Sequence, residues 1–100
     1  MGRYQFTPQA LNDLLEILSF IAEDNPRAAD RVEEAVLRAC EFLADSPYAG
    51  RARNDLTDLP LRFWVLQPYS NYLIVYDPEE KPLQIVRILH GARNVRPLLT

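Results

Sequence analysis

Two helix-start signals, Thr7-Pro8 and Asn25-Pro26, each open a long stretch of helical period, and together they constrain the fold of this chain more than any other feature. In each pair a short polar side chain can accept hydrogen bonds from the free amides of the first turn. Proline, which has no amide hydrogen, then occupies the first helical position. After the first signal Leu11, Leu14, Leu15, Leu18, Ile21 and Ala22 fall on one stripe, with Asn12, Asp13, Glu16, Ser19 and Glu23 off it. That spacing predicts a helix running to about Asp24. After the second signal Ala29, Val32, Val36, Ala39, Cys40 and Leu43 mark another stripe that ends near Asp45. Two helices joined so closely pack as an antiparallel hairpin.

The period then changes. Residues 3–6 can form a short strand ahead of the hairpin. Residues 46–60 contain Pro47, Gly50, Asn54, Asp55, Asp58 and Pro60 and read as an irregular connection carrying Arg51 and Arg53. In residues 61–66 the side chains alternate, with Leu61, Phe63 and Val65 on one face and Arg62, Trp64 and Leu66 on the other. Residues 72–76 are apolar or aromatic on both faces, which places them centrally in a sheet. A loop over 77–82 leads to a returning hairpin strand over 83–90, ended by Gly91. The order β-α-α-β-β-β predicts an α+β fold: an N-terminal strand at one edge and an antiparallel helical hairpin packed on one face of a mainly antiparallel, twisted sheet.

With 100 residues, 48% of them hydrophobic, the chain can build one core and is too short for two, so residues 1–100 are read as a single domain. A formal charge of −3 argues against a protein that coats DNA or RNA, since that relies on neutralising many phosphates. Direct nucleic-acid binding is left only to a local patch. Acids concentrate in residues 8–45, whereas arginines outnumber acids after residue 60. Cys40, the single cysteine, lies on the second helix stripe and reads as a small buried hydrophobe. There is no zinc-ligand spacing, GxGxxG, P-loop, HExxH or GxSxG, and no cofactor is expected. With no signal-peptide pattern and no apolar run of membrane-spanning length, the expected location is the cytoplasm, away from the membrane.

Chemistry concentrates in residues 85–95, Ile-Val-Arg-Ile-Leu-His-Gly-Ala-Arg-Asn-Val. An arginine within a strand is costly unless something uses it, so Arg87 projects to a solvated face, meets a carboxylate or waits for a ligand. A nuclease that activates the 2′-hydroxyl of RNA needs a proton acceptor, a proton donor and positive charge on the phosphate. His90, Arg87, Arg62 and Arg93 can fill those roles only if they share a surface. Arg87 and His90 are three apart, and a regular strand sends them to opposite faces unless it bulges. Arg62 and Arg87 can lie on neighbouring strands of one open face, or form surface ion pairs with Asp55, Asp58 or Glu79. Trp64, Tyr69, Tyr72 and Tyr76 fill core or, interleaved with Arg62, form a stacking platform.

Three stretches carry a resemblance over nearly the whole chain: Phe6-Thr7-Pro8-Gln9-Ala10 with Asp13 and Leu14, Ser46-Pro47 with Gly50 and Arg51, and Val86-Arg87-Ile88-Leu89-His90-Gly91-Ala92-Arg93. Together they resemble the ParE branch of the RelE/ParE toxin superfamily. The resemblance implies a toxin that inhibits DNA gyrase by binding, without chemistry of its own. It also implies a ParD-like antitoxin that wraps a tail over exposed apolar surface and brings acidic groups to toxin arginines. It maps target or antitoxin binding to Arg62, Arg87, His90 and Arg93, with no catalytic residue. The RelE branch implies instead a ribosome-dependent mRNA endonuclease with a lysine- and arginine-rich surface. This chain departs from that pattern, with one lysine, Lys81, and no tyrosine after His90. An inactive homologue acting as a binding module is the third alternative.

Overall fold

The computed structural model describes residues 2–91 and 95–99. In chain order it contains β1 (Tyr4–Phe6), α1 (Pro8–Asp24), α2 (Pro26–Asp45), β2 (Arg51–Ala52), β3 (Arg62–Val65), β4 (Tyr72–Asp77), β5 (Leu83–His90) and a 3-10 turn at Arg96–Leu99. Both helices begin where local chemistry places them. The Thr7 hydroxyl accepts from the Ala10 amide at 3.0 Å, and the Asn25 side chain accepts from the Ala28 amide at 3.1 Å. Thr7 also donates to the Val86 carbonyl at 2.9 Å, so the same side chain that starts α1 fixes it to β5.

The sheet order is β1-β5-β4-β3-β2. β1 runs parallel to β5, and the other neighbours are antiparallel. β4 is the central strand, in keeping with its two apolar faces. The sequence offers no local sign of β2, because two residues carry no period; pairing of Arg51 with Phe63 and of Ala52 with Arg62 makes it a strand.

The helical hairpin covers one sheet face. Leu14, Val32, Val36, Cys40 and Leu43 from the helices meet Ile74, Tyr76, Ile85 and Ile88 from the sheet, with Tyr72 and Trp64 packed at the margin. Each large side chain fully buried there contributes about 1.5–3 kcal/mol by leaving water. The opposite face is covered as well. Leu61, Phe63, Val75 and Leu89 form a second cluster closed by Val95 and Leu99 from the C-terminal segment. This second layer depends on contacts between residues far apart in sequence, which period alone does not reveal.

One edge of the sheet positions the candidate site. β1 pairs with β5 only from Leu83 to Ile85, so the rest of β5 runs past the end of its neighbour. A register shift opposite Val75 and Tyr76 marks a β-bulge in the same region. There the Ile88 amide, lacking a strand partner, donates to the Asp13 carboxylate of α1 at 3.0 Å.

Candidate functional site

Arg87 emerges at this edge. Its Nε and Nη2 donate to the two carboxylate oxygens of Asp13 at 2.7 and 3.0 Å, a bidentate pair, and its Nη1 donates to the Leu98 carbonyl at 3.1 Å. The side chains are only 16% and 12% exposed. The Asp13 hydrogen bonds raise the Arg87 pKa further above its ordinary value. Of the three possibilities for an arginine in a strand, the carboxylate partner is the one realised. The guanidinium does not project to a solvated face: it ties α1, β5 and the C-terminal turn together.

Arg62 is also engaged internally. Its Nη1 donates to the Gly50 carbonyl at 2.7 Å, and the guanidinium lies 5.0 Å from the centroid of the Tyr48 ring, a cation–π contact. The Tyr48 hydroxyl in turn donates to Glu79. Carbonyls and an aromatic ring, in place of the Asp55, Asp58 or Glu79 carboxylates, hold Arg62; Asp55 pairs with Arg53, and Asp58 with Arg96.

Arg62 and Arg87 do not share an open face. Arg62 stands opposite Tyr76, which belongs to the helix-facing cluster, while Arg87 stands opposite Val75, which belongs to the second cluster. β4 lies between their strands. His90 pairs in register with Tyr72, and the two rings meet edge to face with centroids 5.5 Å apart. Arg93 lies outside the described residues. The strand thus separates Arg87 from His90, as the three-residue spacing requires.

The aromatic residues divide differently from a stacking platform. Tyr76 is fully buried; its hydroxyl accepts from the Gly50 amide at 2.9 Å and donates to the Pro47 carbonyl at 2.7 Å, fixing the exit from α2. Trp64 packs against Phe42 of α2, with ring centroids 5.2 Å apart.

Those two rings belong to a groove of about 420 Å³ between α2 and the start of the β3–β4 connection. Its helical wall is the line Arg31, Ala35, Ala39 and Phe42, and its other wall includes Trp64 and Tyr69. Sequence reasoning passed over this groove. The available signal was Phe42, a large aromatic residue that falls off the buried stripe of α2 and is 46% exposed.

A two-helix hairpin on a five-stranded sheet with one parallel edge strand recurs in a solved structure. A chain of the chromosomal ParDE toxin-antitoxin system of P. aeruginosa has it, with a TM-score of 0.70 and 21% identity over 87% of this chain and 92% of that one. In sequence, Toxin RelE2 of Caulobacter vibrioides is 36% identical over 93 residues, 93% of this chain and 99% of the relative. Residues 4–95 match the family model described as the ParE toxin of the type II toxin-antitoxin system parDE. The chain belongs to the ParE toxin family of type II toxin-antitoxin systems.

Proposed function

We propose that this protein poisons DNA gyrase by binding, without bond cleavage of its own, and that a ParD-like antitoxin neutralises it by covering its surface. The observation that favours binding over catalysis is the fate of the basic groups. Arg62 and Arg87 are held in internal contacts on opposite sheet faces, and His90 sits against Tyr72. A phosphodiester cannot meet both arginines and the imidazole at one point, which general acid–base cleavage requires. Support for a covering partner comes from large apolar side chains left in water on the helices, Leu11, Leu15, Phe20 and Phe42. The 1–100 chain acts as one domain, in the cytoplasm where its target works.

The experiment is a comparison of targets. Purified toxin added to gyrase and supercoiled DNA is expected to accumulate enzyme-linked double-strand breaks, and to leave mRNA on translating ribosomes intact. Intact DNA together with cleaved mRNA would overturn the proposal in favour of the second reading, a ribosome-dependent nuclease. The name of the Caulobacter relative, Toxin RelE2, is the observation on that side. Suppression of the observed activity by an added ParD-like antitoxin tests the antitoxin separately.

A further inference from the structure

We infer that Phe20 and the carboxylates around it form the surface by which this toxin docks on a basic protein, the ring entering an apolar socket rimmed by lysine or arginine. The inference rests on the reading that the toxin acts by binding a protein target, and it names the residues and the chemistry of that contact.

Position comes first. Phe20 is 73% exposed, more than any other large hydrophobic side chain among the described residues. It follows Asp13 by seven residues and so stands on the same side of α1, two turns on, facing away from the stripe of Leu11 and Leu15, which lie about half a turn round the helix. The Asp13–Arg87 pair fixes α1 to the sheet, and Ile17 and Ile21, the neighbours of Phe20 on the core side, pack against the main cluster. The ring is therefore held out from a rigid base, which lowers the cost of docking.

Charge comes second. Glu16, Glu23 and Asp24 stand four residues before, three after and four after Phe20, spacings that put helix side chains side by side with about 5–6 Å between Cβ atoms. Glu23 and Asp24 make no ion pair among the described residues. Glu16 accepts a hydrogen bond from the Asn12 side chain at 3.3 Å and is also attracted to Arg87. Arg27 is the only base in residues 16–30, against Glu16, Glu23, Asp24 and Asp30.

The third observation is that both choices are locally unfavourable. Acids in the last turn of a helix face its negative end, and α1 has no basic residue in that turn to offset them. One exposed phenylalanine is ordinary by itself. Ringed by carboxylates at a helix C-terminus, it joins an uncovered apolar group to uncompensated charge, two local rules broken at one place. A partner with lysine or arginine round an apolar socket relieves both, and the charged rim keeps water from the buried ring. The same carboxylates repel a nucleic acid or an anionic membrane, which leaves a basic protein surface as the occupant.

The test uses the whole chain, with DNA gyrase as the probe. Phe20→Ser is expected to raise at least tenfold the toxin concentration that gives half-maximal gyrase-linked breaks, and Phe20→Trp to restore most of the potency. Glu23→Lys combined with Asp24→Lys should weaken potency at least tenfold and flatten its dependence on salt. The thermal midpoint of that pair should hold or rise, because the exchange suits the helix C-terminus; a merely structural role would move stability and potency together. Leu59→Ser and Glu33→Lys, the same kinds of change elsewhere on the surface, should shift potency less than twofold. Unchanged potency in Phe20→Ser or in the combined lysine exchange would overturn the proposal and leave the gyrase reading standing. Binding of DNA alone, or of phosphatidylglycerol vesicles, that disappears in Phe20→Ser would also overturn it. Growth arrest on expression separates the two readings. If the wild-type chain arrests growth without gyrase-linked breaks, the gyrase reading fails; loss of arrest in Phe20→Ser and in the lysine exchange then sustains docking on another protein, and retained arrest overturns it. A wild-type chain that neither arrests growth nor makes breaks overturns both.

Discussion

Asp13 of α1 and Arg87 of β5, separated by 74 residues in sequence, form a two-point ion pair at the sheet edge where β1 stops. The carboxylate also accepts the Ile88 amide, and the guanidinium also donates to the Leu98 carbonyl. One pair therefore joins the helical hairpin, the stretch of β5 that runs beyond β1 and the C-terminal turn.

Arg87→Ala is expected to destabilise the protein by about 2–3 kcal/mol, less than the loss for a fully buried pair because both partners retain some solvent. The substitution strands a carboxylate that is largely shielded. Asp13→Ala should cost a similar amount, since it leaves both Arg87 and the Ile88 amide short of a partner. The double substitution should cost clearly less than the sum of the two, and Arg87→Lys should recover only part of the loss because an ammonium cannot make the two-point contact. Urea denaturation of the four variants measures this. Single losses below 0.5 kcal/mol would show the pair to be incidental to stability, and toxicity changes in Arg87→Ala could then be read as binding effects.

The same pair marks the limit of what the sequence discloses. Thr7-Pro8 and Asn25-Pro26 announce both helix starts because capping is a local interaction, and the 3.6-residue stripes carry α1 and α2 to Asp24 and Asp45 as observed. β5 is equally legible, its end marked by Gly91. The partner of Arg87 is not, because Asp13 looks like one more acid on the outer side of a helix until the pairing of β1 with β5 is seen to end at Ile85, two residues before Arg87. Arg62 is a similar case: the residues that hold it, Gly50 and Tyr48, lie in an irregular loop whose path no period encodes. The family resemblance singled out residues of the last strand, whereas the groove on α2 became visible only when Trp64 and Phe42 were brought together in space.

Tyr76 and Gly50 offer a prediction about that loop. Removing the hydroxyl in Tyr76→Phe leaves the Gly50 amide and the Pro47 carbonyl without their buried partner, an expected cost of about 1–3 kcal/mol. Gly50→Ala should cost at least as much. A Cβ there would sit 2.5 Å from the Tyr76 hydroxyl oxygen and 2.9 Å from the Phe63 backbone carbonyl, and the backbone cannot turn aside as a side chain can. Because deleting the hydroxyl relieves the first clash and leaves the second, the double variant should lose less than the two losses added together. Thermal unfolding of the three variants checks this, and strict additivity would contradict it.

Thr7 performs two tasks with one hydroxyl, capping α1 and bonding to Val86. Thr7→Ala should therefore cost more than an ordinary cap, about 2 kcal/mol against about 1. Thr7→Ser keeps both bonds and should lose far less. Asn25→Ala, which removes a cap whose side chain makes no second hydrogen bond among the described residues, supplies the comparison. Equal losses for Thr7→Ala and Asn25→Ala would show that the bond to β5 adds nothing.

Cys40 gives a prediction about alkaline pH. Burial, with the nearby Glu41 adding to it, pushes the thiol from 9.0 up to about 12. In the unfolded chain the thiol ionises above about pH 9, whereas the fold keeps it protonated until about pH 12. The unfolded state thus binds fewer protons across that window, and stability falls as pH rises, by about 1 kcal/mol at pH 10. Tyr4 and Tyr76 are also raised by burial and titrate over an overlapping range. Tyr76 contributes equally to the wild-type protein and Cys40→Ala, whereas Tyr4 is raised in part by Cys40 itself; replacing Tyr4 by phenylalanine in both proteins leaves a difference that isolates the thiol. Urea midpoints measured from pH 7 to 10.5 should converge as pH rises, the wild type losing the larger share of its stability. Parallel curves would mean that Cys40 ionises as readily in the fold as out of it.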